Sequence, residues 1–138
     1  KINFPIKLFK KAEKYHDNAY SIFRILVGLL FFQHGAQKLL GWFGATAVPL
    51  SSTMGIAGLI ELVGGLAIFL GLFTRLFALI SGLEMLAAYF MVHASNNFVP
   101  ILNQGELALL YLTTFIILFI HGNKKLSLES LLLKKEFF

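Results

Sequence analysis

The sequence predicts an all-α fold, an integral membrane four-helix bundle with amphipathic helices at its N- and C-terminal ends. Hydrophobic residues make up 57% of the 138 residues. A soluble core of that size could not cover so much apolar surface, because about a third of the accessible area stays exposed at this length. The apolar residues are gathered into four long stretches, and ten of the twelve Lys and Arg residues lie outside them. We therefore expect a single membrane domain over residues 1–138.

The first segment, residues 1–18, predicts an interfacial amphipathic helix. Pro5 suits the first turn of a helix. Leu8, Phe9, Ala12 and Tyr15 fall on one helical face, and lysines surround the other side. Such a helix lies on a membrane surface, where its lysines are attracted to anionic lipid.

The four apolar stretches predict transmembrane helices. Each is 18 to 21 residues long, close to the ~20 residues that an α-helix needs to cross a bilayer. Turn-forming residues separate them, for example Gly41, Gly44 and Pro49 after the first stretch. The predicted transmembrane helices are residues 20–40, 54–73, 76–93 and 104–121.

The last segment, residues 126–138, predicts an amphipathic cytoplasmic tail with leucines on one face and flanking lysines. Eleven of the twelve basic residues fall on the side of the two termini, and only Lys38 falls on the other side. The positive-inside rule therefore places both termini in the cytoplasm. It also makes anionic lipid, rather than nucleic acid, the partner of the basic residues.

Ionisable residues inside the predicted spans indicate a site. Each costs about 2.5 to 3.5 kcal/mol near the bilayer centre, so each needs a partner or a function. His34 and Lys38 lie four residues apart and share a helix face. We expect Glu61 to pair with one of them, since glycines on its own face let a neighbouring helix approach closely. The polar groups that share the outer third of the membrane are His34, Lys38, Glu61, His93 and Glu106.

Structural roles are also open for some of these charges. We expect structural roles for three other charged residues, Arg24, Arg75 and Glu84. Glu84 is predicted on the helix face opposite His93. Arg24 is a plausible partner of Glu84 only if their side chains reach about 8 Å along the helix axis. A Lys38–Glu61 pair is also compatible with holding a bundle together without chemistry. Asn103 followed by Glu106 is compatible with helix capping alone.

Several function classes lack support in the sequence. There is no cysteine, so the chain has no disulfide, thiolate metal site or CxxC pair of its own. His34 and His93 show no HxxxH or HExxH spacing, so no metal site is predicted and haem is unfavoured. Phosphate-cradling glycine turns and nucleic-acid-binding modules are absent from the sequence. A redox role would therefore need a cofactor or a partner.

An ordered set of short motifs extends from Arg24 to Ser130. They are RILVG at 24–28, HGAQKL at 34–39, ELVGG at 61–65, GLFTR at 71–75, His93, NQGE at 103–106, Gly122 and SLE at 127–129. This set resembles the DoxX family of small four-helix membrane proteins. The sequence departs from the family at Glu129, where Asp is common, and at Asn123-Lys124, which replaces a glycine-containing turn.

The resemblance implies a four-helix fold in the bacterial cytoplasmic (inner) membrane and a site at the positions of the outer polar groups. Family members have been associated with thiosulfate:quinone oxidoreductase subunits, quinone or thiol-stress responses and membrane oxidoreductase complexes. One hypothesis is a redox-associated, quinone-linked component that assists a partner oxidoreductase. The alternative is a non-enzymatic carrier or scaffold that binds a lipid or small hydrophobic molecule. For the protein partner, a homo-oligomer is the alternative to a partner oxidoreductase. Whether the protein is an enzyme stays open. The candidate ligand-binding residues are His34, Lys38, Glu61, His93, Asn103 and Glu106.

Overall fold

The computed structural model describes residues 4–135, and over this range every regular element is helical. The all-α membrane fold predicted from the sequence is confirmed. Residues 1–3 and 136–138, which belong to the predicted N- and C-terminal amphipathic segments, lie outside the described residues. The helices are α1 (Phe4–Glu13), α2 (His16–Leu40), α3 (Thr53–Leu70), α4 (Thr74–Ala88), α5 (Pro100–Asn103), α6 (Glu106–His121) and α7 (Leu128–Leu133).

Three helices are long and apolar enough to cross a membrane: α2, α3, and α4 together with the π turn Tyr89–His93 that continues it. The fourth apolar helix, α6, has 16 residues and is therefore about 24 Å long. The bundle helices α2, α3, α4 and α6 run alternately in opposite directions. We call the end of the bundle where α2 begins and α6 ends the terminal end, and the end that carries loops 41–52 and 94–105 the loop end.

The helix boundaries differ from the predicted ones where glycine or a left-handed residue ends a helix. α3 ends at Leu70 rather than at residue 73, because Gly71 adopts a left-handed conformation with φ 70° and provides the C-cap. α6 begins at Glu106 rather than at residue 104, because Gln104 is left-handed with φ 60°. α2 begins four residues earlier than predicted, at His16.

Helices α2 and α3 pack in close backbone contact through glycines. A Cβ atom placed on Gly35 of α2 would overlap the backbone of Leu62, and one placed on Gly65 of α3 would overlap the backbone of Phe32. Small residues are the usual means of bringing helices together in a membrane, where the hydrophobic effect does not drive association. This contact fixes the relative position of the polar residues on the two helices.

The apolar core lies between α2, α3, α4 and α6. Phe31, Ile68, Phe115 and Leu118 are at most 1% exposed, and the rings of Phe31 and Phe115 meet edge to face with centroids 4.7 Å apart. Large apolar side chains on the opposite helix faces remain exposed, among them Leu83 at 59%. An apolar outer surface of this kind suits a lipid environment rather than water.

The beginning of the C-terminal segment packs into the terminal end of the bundle. Arg24 is fully buried and donates hydrogen bonds to the carbonyl oxygens of Ile68 (2.6 Å), Phe69 (2.9 Å) and Leu126 (2.6 Å). The first two carbonyls end α3, and the third belongs to the C-terminal segment. One guanidinium therefore joins α2, the end of α3 and the tail.

A second buried polar group completes this junction. Glu129 is fully buried and accepts hydrogen bonds from the Phe73 N–H (3.2 Å) and from Asn123 Nδ2 (2.6 Å). Residues 126–135 are thus only in part an amphipathic surface segment. Leu131 and Leu132 are exposed at 75% and 65%, while the residues before them belong to the bundle.

Candidate functional site

The predicted polar residues of α2, α3 and α4 meet in a pocket of about 200 Å³ in the loop-end half of the bundle. We call it the polar pocket. Its walls include the apolar side chains of Phe31, Met85 and Leu107. Its polar lining residues are His34, Lys38, Glu61, Glu84, His93, Gln104 and Tyr111.

The centre of the pocket is an ion pair between α2 and α3. Lys38 Nζ donates to Glu61 Oε1 at 2.5 Å. The side chain of Glu61 is 3% exposed and that of Lys38 is 22% exposed. The close glycine contact of the two helices accounts for this geometry, since a Cβ on Gly58 would lie 2.9 Å from the Cβ of Lys38. Of the two pairings left open by the sequence, the structure has the one with Lys38.

Each of the two pocket carboxylates has an unsatisfied oxygen. Within residues 4–135, Glu61 Oε2 and Glu84 Oε2 are buried and have no hydrogen-bonding partner. A buried acceptor without a donor costs about 1–3 kcal/mol. Both atoms are therefore suited to accept a hydrogen bond from a bound molecule or to carry a proton.

The expected position of Glu84 is wrong. It does not lie opposite His93, because both residues line the polar pocket. Residues that are nine apart lie on opposite faces only in a regular α-helix. Here residues Tyr89–His93 form a π turn, in which the Ala94 N–H donates to the Tyr89 carbonyl oxygen at 2.8 Å. The wider turn changes the direction of His93 relative to Glu84.

Arg24 is not the partner of Glu84. It lies at the terminal end of the bundle, where its guanidinium bonds to the backbone carbonyls that end α3 and enter the tail. The third residue expected to be structural, Arg75, is exposed in the first turn of α4 and does not line the polar pocket.

His93 is held by the loop that closes the pocket. Its Nδ1 lies 3.0 Å from the carbonyl oxygen of Asn103. A carbonyl oxygen can only accept, so the ring donates from Nδ1, and in the neutral ring Nε2 is then the acceptor. His93 can therefore offer the pocket a hydrogen-bond acceptor.

Asn103 and Glu106 do not line the polar pocket. Asn103 is 7% exposed, and its Oδ1 accepts from the Gly105 N–H at 2.7 Å while its Nδ2 donates to the Asn97 carbonyl at 2.6 Å. This is an Asx turn that orders the loop. Gly105 is the N-cap residue of α6, and Glu106 is exposed at the first helical position rather than the third.

Tyr111 is a pocket residue that the sequence analysis missed. It is 8% exposed on α6, and its ring meets the ring of His34 edge to face, with centroids 5.8 Å apart. The available signal was a single tyrosine in the apolar run of α6. Gln104 was also missed as a lining residue, since its left-handed backbone could not be foreseen.

The pocket combines one lysine with two carboxylates, two histidines, a glutamine, a tyrosine and apolar walls. Charged groups interact more strongly in such a low-dielectric site than in water. The lysine and tyrosine can donate, and the carboxylates and His93 can accept. Within residues 4–135, His, Asp and Glu side chains form no group of three placed to hold a metal ion. The arrangement is suited to an uncharged organic head group with carbonyl or hydroxyl oxygens.

A second cavity adjoins the polar pocket. It is a groove of about 520 Å³ between the loop-end halves of α3 and α4, lined mainly by apolar side chains. We call it the α3–α4 groove. Lys38, Glu84, Ala88 and His93 line both cavities.

Comparisons with known proteins assign the chain to a family. The chain is 39% identical over 133 residues to an uncharacterised protein of Haemophilus influenzae, covering 89% of this chain and 97% of that protein. It is 31% identical over 119 residues to the "Putative oxidoreductase CatD" of Bacillus subtilis, covering 82% of this chain and 86% of that protein. No solved structure matches the chain. The family model described as DoxX matches residues 19–94, and the chain belongs to the DoxX family of membrane proteins.

Proposed function

We propose that the protein binds the head group of a membrane quinone in the polar pocket and assists a partner oxidoreductase. The observation that carries this proposal is the buried Lys38–Glu61 pair, with Glu84 beside it, inside an otherwise apolar pocket. The name of the Bacillus subtilis relative supports a redox association.

The residues of the pocket match the chemistry of a quinone ring. Lys38 has three ammonium N–H groups and uses one of them in the hydrogen bond to Glu61, so another can donate a hydrogen bond to a quinone carbonyl oxygen. Phe31 and Tyr111 supply aromatic rings against which a flat ring can pack. Ligand sites commonly have this form, with mostly apolar walls and a few polar groups that orient the ligand.

The two carboxylates suit proton exchange with the bound ring. Reduction of a quinone to a quinol takes up two electrons and two protons. Lys38 can balance one negative charge, so a second ionised carboxylate in the pocket would be costly in a low-dielectric setting. Glu61 and Glu84 can therefore hold and transfer a proton, while the electrons come from the partner oxidoreductase.

Binding of ubiquinone and menaquinone to purified protein tests the proposal. We expect Glu61→Gln to weaken quinone binding about ten-fold or more, because it removes the charge that holds Lys38 in place. Glu106→Gln is the matched control, since Glu106 is exposed outside the pocket. Equal binding by the wild type and Glu61→Gln, or no binding by either, contradicts the proposal.

The second candidate function is a carrier or scaffold for a lipid or another hydrophobic molecule, without electron transfer. The α3–α4 groove favours it, because the groove is mainly apolar and as large as many small-molecule sites. Mass spectrometry of molecules that co-purify with the protein separates the two functions. A quinone supports the first function, and a phospholipid or another lipid supports the second.

A further inference from the structure

We infer that the α3–α4 groove holds the hydrocarbon chain of the ligand. The ligand class is then an amphiphile with a ring-sized polar head and a long flexible chain. This inference rests on the proposed function, since it takes the head group in the polar pocket to be a quinone.

The groove and the polar pocket adjoin at the residues that line both. Lys38, Glu84 and His93 stand where the two cavities meet. Away from this boundary the groove is lined by apolar side chains such as Ile60 and Leu83. A molecule with a polar end and an apolar end therefore matches the two cavities in only one direction.

The groove lies on the loop-end side of a tight contact between α3 and α4. At that contact a Cβ on Gly64 would lie 2.9 Å from Ser81 Oγ, so the two helices touch there. Toward the loop end, the small side chains of Ala57 and Ala87 face the groove. The α3–α4 groove thus begins where this contact between α3 and α4 ends, at the depth of the polar pocket.

The protein also has a groove without hydrogen-bonding side chains in its lining. A cavity of about 360 Å³ between α4 and α6 is lined only by Gly and apolar residues, including Leu86 and Ile116. Both cavities would take a hydrocarbon chain, but only the α3–α4 groove leads to hydrogen-bonding groups. The α4–α6 groove therefore provides the matched control site.

Two quinones and two variants test the inference on the full chain. The quinones share one benzoquinone ring, and one carries a ten-carbon alkyl chain while the other has none. Ala87→Trp fills the α3–α4 groove and Leu86→Trp fills the α4–α6 groove; both residues are exposed, so both changes should permit folding. Ala57→Phe repeats the test from α3. Affinities are measured in detergent micelles and corrected for partition into empty micelles.

We expect the wild type to bind the chain-bearing quinone at least about ten-fold more tightly than the chainless one, because the chain adds van der Waals contacts along the groove. Ala87→Trp and Ala57→Phe should remove most of this advantage and leave the chainless affinity unchanged. Leu86→Trp should leave both affinities unchanged.

The outcomes separate this inference from the proposed function. If the chainless quinone binds and the groove variants do not weaken the chain-bearing one, the groove is not the chain site, and the proposed function still stands. If neither quinone binds the wild type, the proposed function fails, and this inference fails with it. If Ala87→Trp only displaces a co-purified phospholipid, the groove is a lipid site and the inference is wrong.

Discussion

Lys38 on α2 and Glu61 on α3 form a hydrogen-bonded ion pair at 2.5 Å, and the second oxygen of the Glu61 carboxylate is buried without a partner among residues 4–135. A pair that served only to hold two helices together would be expected to satisfy its buried acceptors. Glu84 lines the same pocket, and its carboxylate also has an unsatisfied buried oxygen. The pair therefore has both a structural contact and an unused acceptor.

Stability and ligand binding separate the two roles of this pair. Lys38→Met alone should destabilise the protein by about 3 kcal/mol, because it leaves a buried carboxylate unpaired. Lys38→Met combined with Glu61→Leu should recover most of that loss, since apolar pairs of similar volume often replace buried ion pairs without cost. The measurement is unfolding of the protein in detergent together with quinone affinity. A double variant that is stable but does not bind supports the functional role, whereas one that binds normally leaves the pair purely structural.

The glycine contact between α2 and α3 should tolerate no methyl group. Gly35→Ala should destabilise the bundle by about 1–3 kcal/mol, because the added Cβ would overlap the backbone of Leu62. Gly82→Ala on α4 is the matched control, since its Cβ would make an ordinary contact, 3.5 Å from Phe115. Its effect should lie between neutral and a gain of about 1 kcal/mol from helix propensity. Equal losses for the two variants would argue against close packing at Gly35.

Arg24 should control the docking of the C-terminal segment. Arg24→Gln removes the charged donors that join α3 to the tail, and each hydrogen bond to a charged group contributes about 1.5–3 kcal/mol. We expect limited proteolysis to cut the variant sooner near residues 122–130. Lys134→Gln, at an exposed position beyond this segment, is the control and should be cut at the wild-type rate. Unchanged cleavage of Arg24→Gln would mean that the tail docks without this residue.

The orientation predicted from charge can be measured directly, because the sequence contains no cysteine. Ser51→Cys lies in the loop between α2 and α3, and Lys125→Cys lies near the C-terminal tail, both at exposed positions. With cytoplasmic termini, a membrane-impermeant maleimide should label Ser51→Cys in intact spheroplasts and Lys125→Cys only after lysis. The opposite labelling pattern would reverse the orientation derived from the positive-inside rule.

Much of the fold followed from the sequence because it depends on local patterns. The apolar stretches predicted the main helices, and the alignment of Glu61 with glycines predicted a close neighbour for that carboxylate. The end of α3 was misplaced at residue 73, since hydropathy continues past Gly71 while the left-handed backbone stops the helix there. The residues that follow the end of α3 are apolar because they form the turn into α4.

The candidate site was harder to predict because it depends on departures from regular geometry. The π turn at Tyr89–His93 has no simple sequence signal, and ideal helical spacing therefore put Glu84 on the wrong face. Asn103 and Glu106 were placed with the pocket because they are polar and at the right depth. The structure instead uses Asn103 to order the loop and leaves Glu106 exposed. Direction around a helix could be predicted in the regular helices α2 and α3, where Lys38 and Glu61 meet, but not across the π turn.

Photo-labelling shows most directly whether a quinone head group occupies the polar pocket. A quinone that carries an azide on its ring is bound to the full protein and cross-linked by light, and the modified residues are identified by mass spectrometry. Binding in the polar pocket predicts adducts on residues such as His34, Lys38 and Tyr111, which excess unmodified quinone suppresses. Adducts confined to the α4–α6 groove or the tail, or labelling that excess quinone does not reduce, would contradict it.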